Sequence, residues 1–346
     1  QYIQEYMSYY KGTYNRVLRH FPGLQSLKLR TMHGHWISRD LLATQTALTS
    51  LRMCERSAQL DDDALARLSN LVDLSLKAQT SVTTHGLRRM TRLQSLALKN
   101  CSHISDSVFY GLTALTSLVL RPSLLITHNG LARITQLQRL SLQWNSTITR
   151  IYYLRNLNTL SLAHCGGVGD DDLSQLTNLT RLDLTDNSRI TDRALLPLTQ
   201  LRVLWLLGNE SITNEAVARL PLLQTLCLVQ NEKINGAVFP RLSSTLQFLV
   251  LGYSGERNAE SESQLGSLTQ LRQLVTMDTP FLSDAALRRM TALETLINYG
   301  AKLDELIACN EWIRVGRPTI VQKRACYEAQ KLRLCPTPKN WFTCAR

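Results

Sequence analysis

Two runs of aspartate, in LDDDAL (60–65) and VGDDDL (168–173), are where like side chains gather closely enough to suggest chemistry, because clustered carboxylates resemble a cation site. Each run, however, opens a stretch of helical periodicity, and negative charge at a helix N-terminus is favoured on its own account. The paired His or Cys ligands that would strengthen a metal reading are missing, so no metal is expected. His33 and His35 in HGH (33–35) could supply half a metal site, but no third ligand lies near in sequence, and they are expected to be ordinary surface histidines.

The eight cysteines occur singly, without a CxxC pair, which argues against zinc ribbons and redox motifs. Cys54, Cys101, Cys165 and Cys227 are spread through the body. Cys309, Cys326, Cys335 and Cys344 cluster near the end, where unpaired thiols, a disulfide-stapled cap and a metal site all fit the composition. A thiol nucleophile needs a depressed pKa, and neither Cys54 nor Cys227 has a base beside it in sequence. GxxxxGK[ST], GxSxG and HExxH are absent, and GGVG (166–169) lacks the lysine of a phosphate loop and reads as a turn. The expectation is a non-enzymatic protein without a cofactor.

Of the 346 residues, 44% are hydrophobic and 19% charged, the composition of a folded globular protein. The formal net charge of +12 is unevenly placed: residues 1–60 hold eight basic and three acidic side chains, residues 311–346 eight and two. No apolar run approaches the roughly 20 residues that cross a bilayer, so no membrane contact is expected.

One pattern organises the chain. LQSLALKNC (93–101), LQRLSLQWN (137–145), LNTLSLAHC (157–165), LTRLDLTDN (179–187) and LQTLCLVQN (223–231) share the template LxxLxLxxN/C, whose leading leucine recurs from Leu24 to Leu293 at a modal spacing of 22 residues. Over 21–300 the chain resembles the leucine-rich-repeat proteins. The resemblance implies an α/β solenoid, a horseshoe with a parallel concave sheet and short convex helices, because one repeat cannot bury its leucines without neighbours. ISDSVFYGL (104–112), ITDRALLPL (190–198), ITNEAVARL (212–220) and LSDAALRRM (282–290) carry the Ser/Thr start signal of those helices. The sixth repeat, STITRIYYL (146–154), is short and lacks this signal, and GERNAESESQ (255–264) reads as a solvated loop. Residues 1–20 are expected to form a helical cap and 301–346 a basic C-terminal cap.

The resemblance further implies that Asn145, Asn187, Asn209 and Asn231, with Cys101 and Cys165, turn inward and bond the loop backbone. Asn145 and Asn209 also fit the N-glycosylation pattern, as do Asn100 and Asn178. Burial of two of the four would make these sequons accidental and the protein intracellular. The ITD stretches with Asn or Cys in the slot resemble the cysteine-containing repeats of F-box receptor proteins, and RHFPGLQSLKLR (19–30) resembles the entry to their first repeat.

Alternation along each strand points template positions three, five and seven away from the core. In the early repeats these positions give Lys28, Arg30, Arg52, Lys77, Lys99, Arg121 and Arg139, a basic stripe. In the late repeats they give an apolar column: Trp205, Leu207, Val229, Phe248, Val250, Val275, Met277, Ile297 and Tyr299. Such a column needs a cover. A partner's segment and the chain's own residues 301–346 both fit. The expected function is a binding scaffold or receptor that recognises a protein on its concave face, steered by the basic half and held by the apolar half. A substrate receptor of a ubiquitin ligase and a structural subunit of a ribonucleoprotein, with RNA at the basic ends, are the alternatives.

Overall fold

Leucine spacing dictates the architecture. In a computed structural model, residues 2–4, 18–29, 37–53, 60–101, 103–122, 125–252, 263–277, 284–299 and 319–322 are described, with the backbone alone at 2–4, 277, 284, 298–299 and 319–322. They divide into two compact units, Gln1–Leu157 and Asn158–Arg346. The first holds parallel strands β1 (Tyr2–Gln4), β2 (Ser26–Leu29), β3 (Ser50–Met53), β4 (Asp73–Lys77), β5 (Ser95–Lys99), β6 (Ser117–Arg121) and β7 (Arg139–Ser141), each paired with the next. The second holds β8 (Thr159–Ser161), β9 (Arg181–Asp183), β10 (Val203–Trp205), β11 (Thr225–Val229), β12 (Phe248–Gly252), β13 (Gln273–Met277), β14 (Thr295–Tyr299) and β15 (Thr319–Gln322), paired likewise.

The pairings between template strands keep register, so the central leucines stack on one another: Leu74, Leu96 and Leu118 in the first unit, and Leu182, Leu204 and Leu226 in the second, are fully buried. Each such side chain contributes about 1.5–3 kcal/mol by leaving water. On the far side of the sheet, single-turn helices return the chain, among them Asp62–Arg67, Thr84–Leu87, His128–Leu131, Asp170–Leu173, Asp192–Leu195 and Asn214–Val217.

Two interlocks join one repeat to the next. The inward slot is filled as the resemblance implied: Asn187 donates from Nδ2 to the carbonyls of Leu162 (3.1 Å) and Cys165 (2.7 Å), and its Oδ1 accepts from Arg189 and Ile190 amides. Asn209 and Asn231 repeat the arrangement, each fully buried, and Cys101 and Cys165 are buried in the same slot. Burial of Asn145 and Asn209 closes two of the four glycosylation patterns.

The second interlock lies among the helices. Thr83 donates its amide (2.7 Å) and hydroxyl (2.5 Å) to Asp62 of the preceding repeat. Thr127 does the same to Asp106, Thr191 to Asp170 and Thr213 to Asp192. Both aspartate runs therefore act at helix starts, as expected, with Asp61 capping Ala64 (2.9 Å), while Asp62 and Asp170 also hold the next repeat.

Some expectations need correction. Asp106–Tyr110 is a 3-10 turn without a side-chain cap bond from Ser105, and Thr191, whose hydroxyl donates to Asp170, makes no cap bond either. Within the expected helical cap, Tyr2–Gln4 is a strand pairing with β2, consistent with the strand preference of its aromatic and β-branched residues. Residues 5–17 lie outside the described residues. So does most of the C-terminal cap, of which Thr319–Gln322 adds strand β15 beside β14.

Candidate binding face

The face of each sheet turned away from the helices is its open face. In the first unit it is cationic. Lys77, Lys99 and Arg121 stand side by side in register at the ends of β4, β5 and β6, so their Cα atoms are spaced by roughly the 4.8 Å between strands. Lys28 and Arg52 are register neighbours on the central row of β2 and β3, and Arg139 occupies the opposite row on β7. The basic residues therefore spread over three rows instead of one stripe. Arg30 lies outside the described residues.

Among the described open-face positions of this unit the one acid is Asp73. Its Oδ2 accepts from Arg52 Nη2 (2.9 Å), Arg52 Nε (3.1 Å) and Ser50 Oγ (3.0 Å). Arg121 donates to Gln143 Oε1. Within the same rows stand small side chains: Ser75, Ser95 and Ala97 are half-buried and Ser117 is buried. Trp144, next in the chain to Gln143, is 59% exposed and held at φ 63°.

The open face of the second unit is packed. Trp205 (1% exposed), Cys227, Val229, Val250 and Val275 form one buried cluster, with Val203, Leu207, Phe248 and Ile297 partly buried against it. The indole of Trp205 loses nearly all its exposure to the side chains packed around it. The anchors expected at Trp205, Val229, Val250 and Val275 are thus enclosed within the single chain, and Leu207, Phe248 and Ile297 retain part of their surface. The side chains of Met277 and Tyr299 lie outside the described residues.

Beside this cluster sits Asp183, fully buried in β9, accepting from Ser161 Oγ (2.7 Å), Thr185 Oγ1 (2.6 Å) and Thr185 N (3.1 Å). Burial pushes its carboxyl above the usual carboxylate range, against the opposing pull of those donors and of the nearby His164.

No family model and no curated protein matches this chain. Solved structures do. An internalin of Listeria monocytogenes is 21% identical with a TM-score of 0.55, the match covering 90% of this chain and 89% of that one. A leucine-rich-repeat protein of Leptospira interrogans has the same identity and TM-score over 81% of this chain and 74% of that one. TLR13, in a complex with ssRNA13, matches at 21% identity and a TM-score of 0.53 over 82% of this chain and 51% of that one. The fold is the leucine-rich-repeat fold. At this identity the likeness concerns the fold, and the resemblance to F-box receptor repeats rests on the sequence.

In β4 and β5 half-buried and buried residues alternate as the sequence map of rows requires. The map missed Trp144, which falls one position past the mapped rows, at a site where several repeats take a left-handed backbone. Ala78, Asn100, His164, Asp186, Gly208 and Gln230 share that conformation. The described cysteines, Cys101, Cys165 and Cys227, are buried. Burial pushes the Cys101 and Cys165 thiols up, opposite to the requirement of a nucleophile. His33, His35, Cys54 and the four late cysteines lie outside the described residues. Among those described, no group of three or more metal-ligating side chains comes together and no helix is long and apolar enough to cross a membrane.

Proposed function

We propose that this chain is a non-enzymatic binding scaffold that recognises a partner protein on the open face of its leucine-rich repeats, and that the accessible part of that face is the cationic surface of the first unit. The observation that supports this is the charge of the described open-face positions: they include Lys28, Arg52, Lys77, Lys99, Arg121 and Arg139, and among the described residues of that face the one acid is Asp73, which accepts from Arg52 and Ser50. A surface of one sign raises encounter rates with partners of the other and rejects those of its own. The exposed parts of Leu207, Phe248 and Ile297 are the proposed apolar supplement.

A photo-crosslinking residue placed at Ala97, on the floor of the face, tests this in cells that make the protein. A discrete protein adduct at Ala97, absent when the crosslinker sits at Arg89 beyond the helix on the other side, is the expected result. Adducts at Arg89 alone, or at neither position, would contradict the reading. The structurally similar TLR13 forms a complex with a single-stranded RNA, so RNA is the competing occupant of the same cations, and a nuclease-sensitive adduct would assign it.

A further inference from the structure

Resting on that reading, the geometry points to the kind of partner the first unit takes: we infer that the trough between β3 and β7 binds an acidic α-helical segment of another protein, laid across the strands against the row Lys77, Lys99 and Arg121.

Three features of the face argue for a helix over other polyanions. First, each of β4, β5 and β6 is already paired on both sides, so the sheet has no edge here to offer an extended peptide. An extended segment lying on the face would leave its own amides and carbonyls without partners, whereas a helix bonds its backbone internally. Second, carboxylates three or four residues apart on a helix project from Cβ atoms about 5–6 Å apart. Cations on adjacent strands are spaced by roughly 4.8 Å, so successive Glu or Asp side chains on one helix face meet successive strands.

Third, the floor is low. In the same rows β10 and β12 carry Val203, Trp205, Phe248 and Val250, whereas β4, β5 and β6 carry Ser75, Ser95, Ala97 and Ser117 beside Asp73 and Val119, so a cylinder about 10 Å across meets less bulk here. Single-stranded RNA is favoured by aromatic platforms on which successive bases stack. The described rows of this trough carry no aromatic side chain, and Trp144 stands past their far end, where one apolar residue of a helix can rest on it.

The test uses the full chain and three fluorescent probes at about 0.1 M salt, read by anisotropy. One is an 18-residue peptide of Glu and Ala with Glu at i, i+4 spacing. The second has the same charge with two central prolines that break the helix. The third is an 18-nucleotide oligouridylate. The helical peptide is expected to bind most tightly. Lys77→Glu with Lys99→Glu should weaken it about tenfold or more, Trp144→Ala about threefold, and Arg67→Glu with Arg89→Glu, on the other side of the sheet, should leave it unchanged. Circular dichroism of each variant establishes that the fold is intact.

Equal binding of the proline-broken peptide, tighter binding of oligouridylate, or equal loss from the Arg67 and Arg89 reversal would each overturn the inference. If no peptide binds while Ala97 still traps a protein, the helical partner is ruled out and the scaffold reading stands. If Ala97 traps nothing either, both fall.

Discussion

The Asp192 carboxylate accepts both the amide (2.8 Å) and the hydroxyl (2.5 Å) of Thr213, a residue 21 positions later and one repeat away. One side chain thereby satisfies the first orphan donor of the next helix and ties two repeats together. Hydrogen bonds to a charged acceptor contribute about 1.5–3 kcal/mol. Asp192→Ala should therefore lower unfolding stability by about 2 kcal/mol in denaturant melts. Asp171→Ala, whose exposed carboxylate makes one surface ion pair to Arg193 (2.8 Å), should change it by less than about 1 kcal/mol.

Gly111 sits where a side chain has no room. A Cβ there would run into the Arg88 carbonyl oxygen, a backbone atom that cannot move without shifting its helix. Gly111→Ala should cost about 1–3 kcal/mol. At Gly86 the atoms nearest an added Cβ belong to the Asp62 side chain and not to the backbone, and Ala194 occupies the equivalent place after Thr191, so Gly86→Ala should cost less. Gly166→Ala, with open space around it, should be near neutral. Thermal melts of the three variants give the order.

Gln230 is exposed and held at φ 53°, where a Cβ costs about 1–2 kcal/mol and glycine costs only its extra chain entropy. Gln230→Gly should raise stability by up to about 1 kcal/mol in the same melts. The reverse change at the equivalent position, Gly208→Ala at φ 62°, should lower it, because the new Cβ would also run into Asp186 Oδ1.

Asp183 makes stability depend on pH. Its carboxyl titrates higher in the folded chain than in the unfolded one, so the folded state binds the proton more tightly. Its contribution to stability is fully present below the unfolded pKa, near 4, and is lost as pH rises through the folded value. Asp183→Asn keeps a carbonyl for the Thr185 amide and an amide for Ser161, and removes the titrating carboxyl. The variant should be more stable than the parent at pH 7, with the difference shrinking toward pH 4; a constant difference across that range would show that titration plays no part.

The repeats were legible because leucine at three fixed template positions has no other ready means of burial than stacking, and the Asn or Cys slot was legible because the template repeats it. The Asp–Thr interlock is a contact between repeats, so a reading confined to each helix start accounts for the aspartates through the dipole alone. Its trace was nonetheless present, in the constant separation of 21 residues between Asp62 and Thr83, Asp106 and Thr127, Asp170 and Thr191, and Asp192 and Thr213. For the binding face, alternation placed Lys77, Lys99, Arg121 and Trp205 on the open side. It could not show that Trp205 is enclosed, since a strand's periodicity specifies which way a side chain points and not how closely its neighbours pack around it. Trp144 escaped because a left-handed residue breaks the alternation on which the map depends.

The central claim is that the first unit's open face is the accessible binding surface. Lysine acetylation footprinting of the full chain, alone and bound to the partner trapped at Ala97, tests it most directly. Lys77 and Lys99 should lose reactivity on binding while the exposed Lys233 in the second unit keeps its own. Unchanged reactivity at Lys77 and Lys99 in a saturated complex would contradict the account.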